Sequence, residues 1–192
     1  MGKLSFKDEF KRKLVHFASS IIGLSIIYFD REVILPILAI SSVLFPILDY
    51  LRINNKLISN SYNTYFHSIT RSFESNQFTG ASFVFWGALL TYIIFEQKIA
   101  GISLIVMSFS DAMAAIIGVG FGKTKVLNKS LEGSFAFYIT TFIILYIFKI
   151  PLIVSLFVSA LATITELVEI PKINDNISIP VTVALLLTIC GV

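Results

Sequence analysis

Long apolar runs alternate with short polar breaks along this chain. They lie near Leu14–Phe29, Val33–Leu51, Thr79–Phe95, Ile99–Phe121, Ser130–Phe148, Ile150–Val168 and Ile177–Val192. A bilayer core about 30 Å thick needs roughly 20 helical residues at about 1.5 Å each, with about 17 to 25 tolerated. The pattern predicts an all-α fold, a polytopic integral membrane helical bundle of about seven transmembrane helices, or about six because the first and last runs are short. The first run does not read as a cleavable signal peptide, since further spans follow and no A-x-A site is evident. A single domain, residues 1–192, accommodates the pattern.

Composition supports a membrane setting. Of 192 residues, 56% are hydrophobic and only 14% charged, against roughly 25% charged in soluble domains. Eighteen phenylalanines are more than a soluble globule of this size can hide. Cys190 is the single cysteine, so no disulfide framework exists. A net charge of +3 is too small to indicate a nucleic-acid partner, and none is expected.

The placement of the charges sets sidedness. If the N-terminus is cytoplasmic, that side carries Lys3, Lys7, Lys11, Arg12, Lys13, Arg52, Lys56, Arg71, Lys123, Lys125, Lys129 and Lys172; the other side receives only Arg31, Lys98 and Lys149. This asymmetry predicts a cytoplasmic N-terminus and an external C-terminus. The external connections are tiny, so chemistry is expected at the cytoplasmic loops near 52–78 and 120–129. The first of these is polar with interspersed aromatics and has room for an interfacial helix.

Residues 110–134, SDAMAAIIGVGFGKTKVLNKSLEGS, concentrate the candidate chemistry. GKT ends a P-loop motif, but G-x-x-x-x-G-K-[ST] would need glycine where Ile117 stands, and a strand where an apolar helix is predicted. Asp111 lies about mid-span, where a carboxylate must be paired, protonated or beside a wet cavity. Ala114, Ala115, Gly118 and Gly122 continue its face as a small-residue stripe, which suits either a ligand or a packed helix. Lys123, Lys125 and Lys129, led by Gly118, Gly120 and Gly122, suit phosphates, although positive-inside bias also accounts for three lysines. Glu166, Glu169, Asp175 and Asp49 fall on the same side. Together they suit Mg²⁺, or another divalent cation, held between protein oxygens and a polyphosphate. Singly, each is equally a solvated rim residue, and Asp175 or Asn176 can cap the helix beginning at Ile177. His16 opens the first span, where it can contact phosphate, relay a proton or simply sit at the interface. His67 has no companion, and two distant histidines with one cysteine give no zinc site.

The 110–134 block resembles the signature of the CTP-dependent lipid-alcohol kinases: dolichol kinase, phytol kinase and the CTP-dependent diacylglycerol kinase, relatives of the phosphatidate cytidylyltransferases. The resemblance rests on Asp111, Ala114, Ala115, Gly118, Gly122, Lys123, Lys129, Ser130, Glu132 and Gly133. Flanking segments agree in order. They are Glu9, Arg12, Lys13 and His16; then Leu51-Arg52, Arg71, Glu74 and Thr79–Ala81; then Thr165, Glu166, Asp175, Asn176, Ile179 and Pro180. The resemblance implies one multi-pass lipid-kinase domain with a cytoplasmic active site. Its partners would be CTP and a polyprenol-type alcohol in the membrane, its products CDP and the lipid monophosphate. It further implies catalytic roles for Asp111, Lys123 and Glu132. Nucleotide contacts would fall to Arg12, Lys13, Arg71, Gly118, Gly122, Lys123, Lys125, Lys129 and Ser130, and metal contacts to Asp111, Glu166 and Asp175. His16, Glu74 and Asn176 are further candidates. Phytol, geranylgeraniol or diacylglycerol are alternative acceptors. A cytidylyltransferase, releasing pyrophosphate, is the neighbouring chemistry, and a transporter using Asp111 is the non-enzymatic alternative.

Overall fold

The computed structural model describes residues 6–66, 77–168 and 173–192. Every long apolar run forms helix. In chain order the helices are α1 (Phe6–Ala18), α2 (Ser20–Tyr28), α3 (Arg31–Asn54), α4 (Lys56–Phe66), α5 (Gly80–Ile94) and α6 (Gln97–Phe121). A small hairpin follows, β1 (Lys125–Val126) and β2 (Lys129–Ser130), then α7 (Leu131–Ile147), α8 (Leu152–Val168) and α9 (Asp175–Ile189). The architecture is all-α around α6. That helix is apolar on every side and buried without interruption from Ile99 to Ser108, as expected for a helix enclosed by others. Helices α1, α2, α5, α7 and α9 pack on it.

Among the described residues, α3 and α6 are long and apolar enough to cross a membrane. Helices α5, α7, α8 and α9 are apolar but have 15 to 17 residues. The outer faces carry exposed Val33, Ile37, Ile40, Val43 and Ile47 on α3 and Ile153 and Phe157 on α8, surface that suits lipid rather than water.

The expected first span, Leu14–Phe29, is not one helix. It divides at Ser19 between α1 and α2. The Ser19 hydroxyl donates to the His16 carbonyl at 2.6 Å, and its N–H is shared between the carbonyls of Val15 and His16. Such back-bonding competes with the regular helical ladder and bends it. Below the break, α2 lies tight against α6: a Cβ added to Gly23 would sit 2.7 Å from the Gly101 carbonyl oxygen.

The two expected cytoplasmic loops are also partly regular. The segment after α3 contains α4, in keeping with the expected helix there. The segment after α6 is an antiparallel hairpin, pairing Lys125 with Ser130 and Val126 with Lys129 across a two-residue Leu127–Asn128 turn. Leu127 takes φ 54°, a left-handed conformation uncommon for a branched apolar residue. Two pins hold the hairpin to α7. Ser130 caps the helix by accepting from the Gly133 N–H at 3.1 Å, and the Leu131 N–H donates to the Thr124 carbonyl at 2.9 Å.

Candidate active site

Asp111 lies about 15 Å along α6 from its Phe121 end. Its Oδ2 accepts from Lys13 Nζ at 2.5 Å, and His16 Nε2 stands 3.5 Å from the same oxygen. Glu9, Lys13 and His16 recur at the spacing that gives α1 one face, and that face meets α6. The Lys13 side chain is 3% exposed and that of Asp111 18%. A buried ion pair costs desolvation that an apolar pair avoids, so stability alone does not account for it. His16 Nε2 also bonds Asn176 Oδ1 at 2.9 Å, and Nδ1 lies 3.4 Å from the Ser108 carbonyl oxygen. The Asn176 amide nitrogen donates to the Gly80 carbonyl at 3.3 Å. Helices α1, α5, α6 and α9 thus meet at one polar knot.

A second cluster adjoins it. Lys129, on β2, sends its ammonium between Glu166 Oε1 at 2.9 Å and Asp175 Oδ2 at 3.0 Å, and also donates to the Glu166 carbonyl. Ser134 donates to Glu166 Oε2 at 3.2 Å. Burial works against the charge on Lys129, but the carboxylates of Glu166 and Asp175 outweigh it and raise its pKa above the usual lysine value. Asp175 and Asn176 are consecutive at the start of α9, which joins the two clusters.

The glycines do close packing. A Cβ on Gly118 would meet Ser130 Oγ at 2.9 Å, one on Gly122 would meet Ser130 Cβ at 2.8 Å, and one on Gly133 would meet the Ala114 carbonyl oxygen at 2.8 Å. Gly118, Gly122 and Ser130 therefore set how near the hairpin and α7 approach α6. Lys123 and Lys125 are exposed on the hairpin side. The Glu132 carboxylate accepts from the Thr124 N–H at 3.1 and 3.3 Å, fastening the GKT turn to α7. Arg12 pairs with Glu9 at 3.2 Å on α1. Arg71 and Glu74 lie outside the described residues, as do His67, Glu169 and Lys172.

Among the described residues no three His, Cys, Asp or Glu side chains gather around one metal position. Mg²⁺ needs fewer, because it is usually held by one or two carboxylates plus substrate phosphates and water. Glu166 and Asp175 offer two carboxylates of this kind, and in this structure their oxygens converge on the Lys129 ammonium.

A third polar cluster joins residues that the sequence places only loosely, Asp49 with the carboxylates of the same side and Arg52 and Thr79 with the flanking motif segments. Asp49 Oδ2 accepts from the Thr79 N–H at 2.8 Å, the Thr79 hydroxyl at 2.9 Å and the Ser82 hydroxyl at 2.6 Å. Arg52 pairs with Asp49 at 3.3 Å and donates to the Gln77 carbonyl at 2.6 Å. It fixes the start of α5, and so the Gly80 carbonyl that orients Asn176. The available signal was the same one that marks Asp111, a carboxylate inside an apolar helix. Ser108 and Ser134 carry no sequence signal that separates them from other serines of the bundle.

No family model matches the chain, and no solved structure matches it. It is similar to uncharacterized protein RP860 of Rickettsia prowazekii, at 31% identity over 194 aligned residues covering 96% of this chain and 95% of the other. It is also similar to CTP-dependent diacylglycerol kinase 1 of Schizosaccharomyces pombe, at 26% over 207 residues, 95% of this chain and 94% of the other. A shorter match, 34% over 98 residues, covers 44% of this chain and 19% of dolichol kinase sec59 of the same yeast.

Proposed function

This chain belongs to the family of CTP-dependent lipid kinases, and from that premise we propose that it transfers the γ-phosphate of CTP to the hydroxyl of a polyprenol-type alcohol. The products are the lipid monophosphate and CDP. The observation that carries the proposal is a largely enclosed carboxylate, Asp111, held by Lys13 on the helix that leads directly into a glycine-flanked, lysine-bearing hairpin.

Phosphoryl transfer asks mainly for positioning and charge neutralisation. Asp111 accepts the hydroxyl proton as the lipid oxygen attacks the γ-phosphorus. The bond from that phosphorus to the β–γ bridging oxygen breaks, and CDP departs. Lys123 and Lys125, exposed beside the turn, hold phosphate oxygens, with Arg12, Lys13, Arg71 and Lys129 as further cations. Gly118, Gly122 and Ser130 shape the cradle, and Glu132 holds the turn in place. Mg²⁺ would be held by Glu166 and Asp175, with Asp111 as a further candidate ligand, and would supply further neutralisation at the phosphates. The chain crosses the membrane several times with its N-terminus and this site on the cytoplasmic side, a reading that rests on the twelve-to-three division of lysine and arginine. The lipid hydroxyl reaches the site sideways from the bilayer.

A second acceptor, diacylglycerol, is favoured by the near full-length similarity to a CTP-dependent diacylglycerol kinase. The test uses purified protein in lipid with Mg²⁺ and γ-labelled CTP or ATP, against dolichol, geranylgeraniol, phytol and diacylglycerol. Label in a lipid monophosphate with CTP, strongest for dolichol, is expected. Preference for diacylglycerol selects the second acceptor. No labelled lipid from any alcohol, with pyrophosphate released when lipid phosphates are supplied, would replace the kinase by a cytidylyltransferase.

A further inference from the structure

Asn176, the second residue of α9, is fixed at both ends. Its backbone N–H donates to Asn174 Oδ1 at 3.0 Å, and its carbonyl oxygen lies so near α5 that a Cβ on Gly87 would stand 2.1 Å from it. The side-chain amide then has one orientation. The Gly80 carbonyl can only accept, so the amide nitrogen faces it and Oδ1 faces α1. His16 Nε2, 2.9 Å from that Oδ1, must therefore carry a hydrogen. The same nitrogen is 3.5 Å from Asp111 Oδ2. The other ring nitrogen faces the Ser108 carbonyl, a further acceptor. Every polar partner these contacts give the ring accepts, and the nearby cation, Lys13, is spent on Asp111.

We infer that Asn176 is a positioning residue that locks His16 as an Nε2–H donor beside Asp111, leaving the Asp111 carboxylate, not His16, as the proton acceptor of the site. The catalytic meaning of the lock rests on the kinase proposal; the lock itself does not. It also separates two histidine roles that the sequence leaves open. A ring that already donates at Nε2 cannot take a hydroxyl proton there, but it can hold a carboxylate in one orientation.

The test is ¹⁵N NMR of the full chain, labelled at histidine and held in lipid nanodiscs, with His16→Gln separating the two histidines. The expected His16 spectrum has Nε2 protonated. Asn176→Asp, which keeps an acceptor in place, preserves it, whereas Asn176→Ala moves it toward an exchanging mixture of tautomers. In the kinase assay, Asn176→Ala should lower kcat about tenfold or more with KM for CTP within about twofold. A wild-type His16 protonated only at Nδ1, or a tautomer unmoved by Asn176→Ala, would overturn the inference. The expected spectrum in a protein that phosphorylates no alcohol would sink the kinase proposal and leave the lock established.

Discussion

Removing both members of the Lys13–Asp111 pair should cost clearly less stability than the two single losses added together. The pair joins α1 to α6 across 98 positions of sequence, and the Lys13 side chain is almost wholly enclosed. Leaving one buried charge without its partner typically costs about 3 to 5 kcal/mol, whereas replacing both with apolar groups is often neutral or stabilising. Asp111→Asn keeps an acceptor near Lys13, so about 3 kcal/mol is expected, at the low end of that range. Lys13→Met leaves Asp111 with the weaker His16 contact at 3.5 Å, and a similar loss of about 3 kcal/mol is expected. The double variant should recover about 2 kcal/mol or more of the summed loss, a coupling within the range of contacting residues. The assay is reversible unfolding in mixed micelles, with kinase activity measured on the same four proteins. Recovery of stability should not restore catalysis, because proton acceptance at this position is worth about 10²- to 10⁴-fold in rate. Additive losses, with no recovery in the double variant, would refute a tightly coupled buried pair. Activity regained with stability would refute a direct role for Asp111.

Three further outcomes follow from the same geometry. Lys123→Ala and Lys125→Ala, being at exposed positions, should change unfolding free energy by less than about 0.5 kcal/mol while lowering kcat/KM for CTP about tenfold or more, as loss of a charged phosphate contact implies. Gly87→Ala should destabilise by about 1 to 3 kcal/mol or more, since its Cβ would press on the Asn176 carbonyl; Gly80→Ala, whose Cβ meets nothing nearer than 3.6 Å, is the control at less than about 0.5 kcal/mol in thermal unfolding. Folding raises the Lys129 pKa, so its tie to Glu166 and Asp175 is fully present below the free-lysine value and is lost as pH rises through the raised one. The stability difference between wild type and Lys129→Met should accordingly hold steady from about pH 7 to about pH 10 and shrink above that, as read by unfolding titrations.

Helix positions were legible because burial in a bundle of apolar helices demands long apolar runs, and the runs beginning at Val33, Thr79, Ile99, Ser130, Ile150 and Ile177 fall on α3 and α5 to α9. Asp111 stood out for the same reason in reverse, as a charge where none is expected. The break at Ser19 was not legible, because it depends on a hydroxyl turning back to the His16 carbonyl while meeting Ser108 on another helix. The hairpin was hidden by its size: strands of two residues show no period, and Leu127 sits in a conformation its own preferences oppose. The glycines were ambiguous between ligand approach and helix packing, and only the distances to Ser130 and Ala114 show what they pack against. Lys129 with Glu166 and Asp175 could be grouped by sidedness, but not paired, because no local spacing encodes contacts 37 and 46 residues apart.

The hydrogen bond from His16 to Asn176 spans 160 residues, and this bears on how the protein is made. Helices α6 and α7 with their connecting hairpin are contiguous in sequence and pin to one another locally, so they can assemble while the chain is still being synthesised. The polar knot cannot. Lys13 and His16 emerge from the ribosome well before Asp175 and Asn176. Until α9 docks, Lys13 can pair with Asp111 and Lys129 with Glu166, but His16 lacks its Asn176 acceptor and Lys129 its second carboxylate, Asp175. Completion of the site thus waits for α9 to dock. A product truncated before α9 lacks both the Asn176 and the Asp175 contacts and so leaves both clusters incomplete.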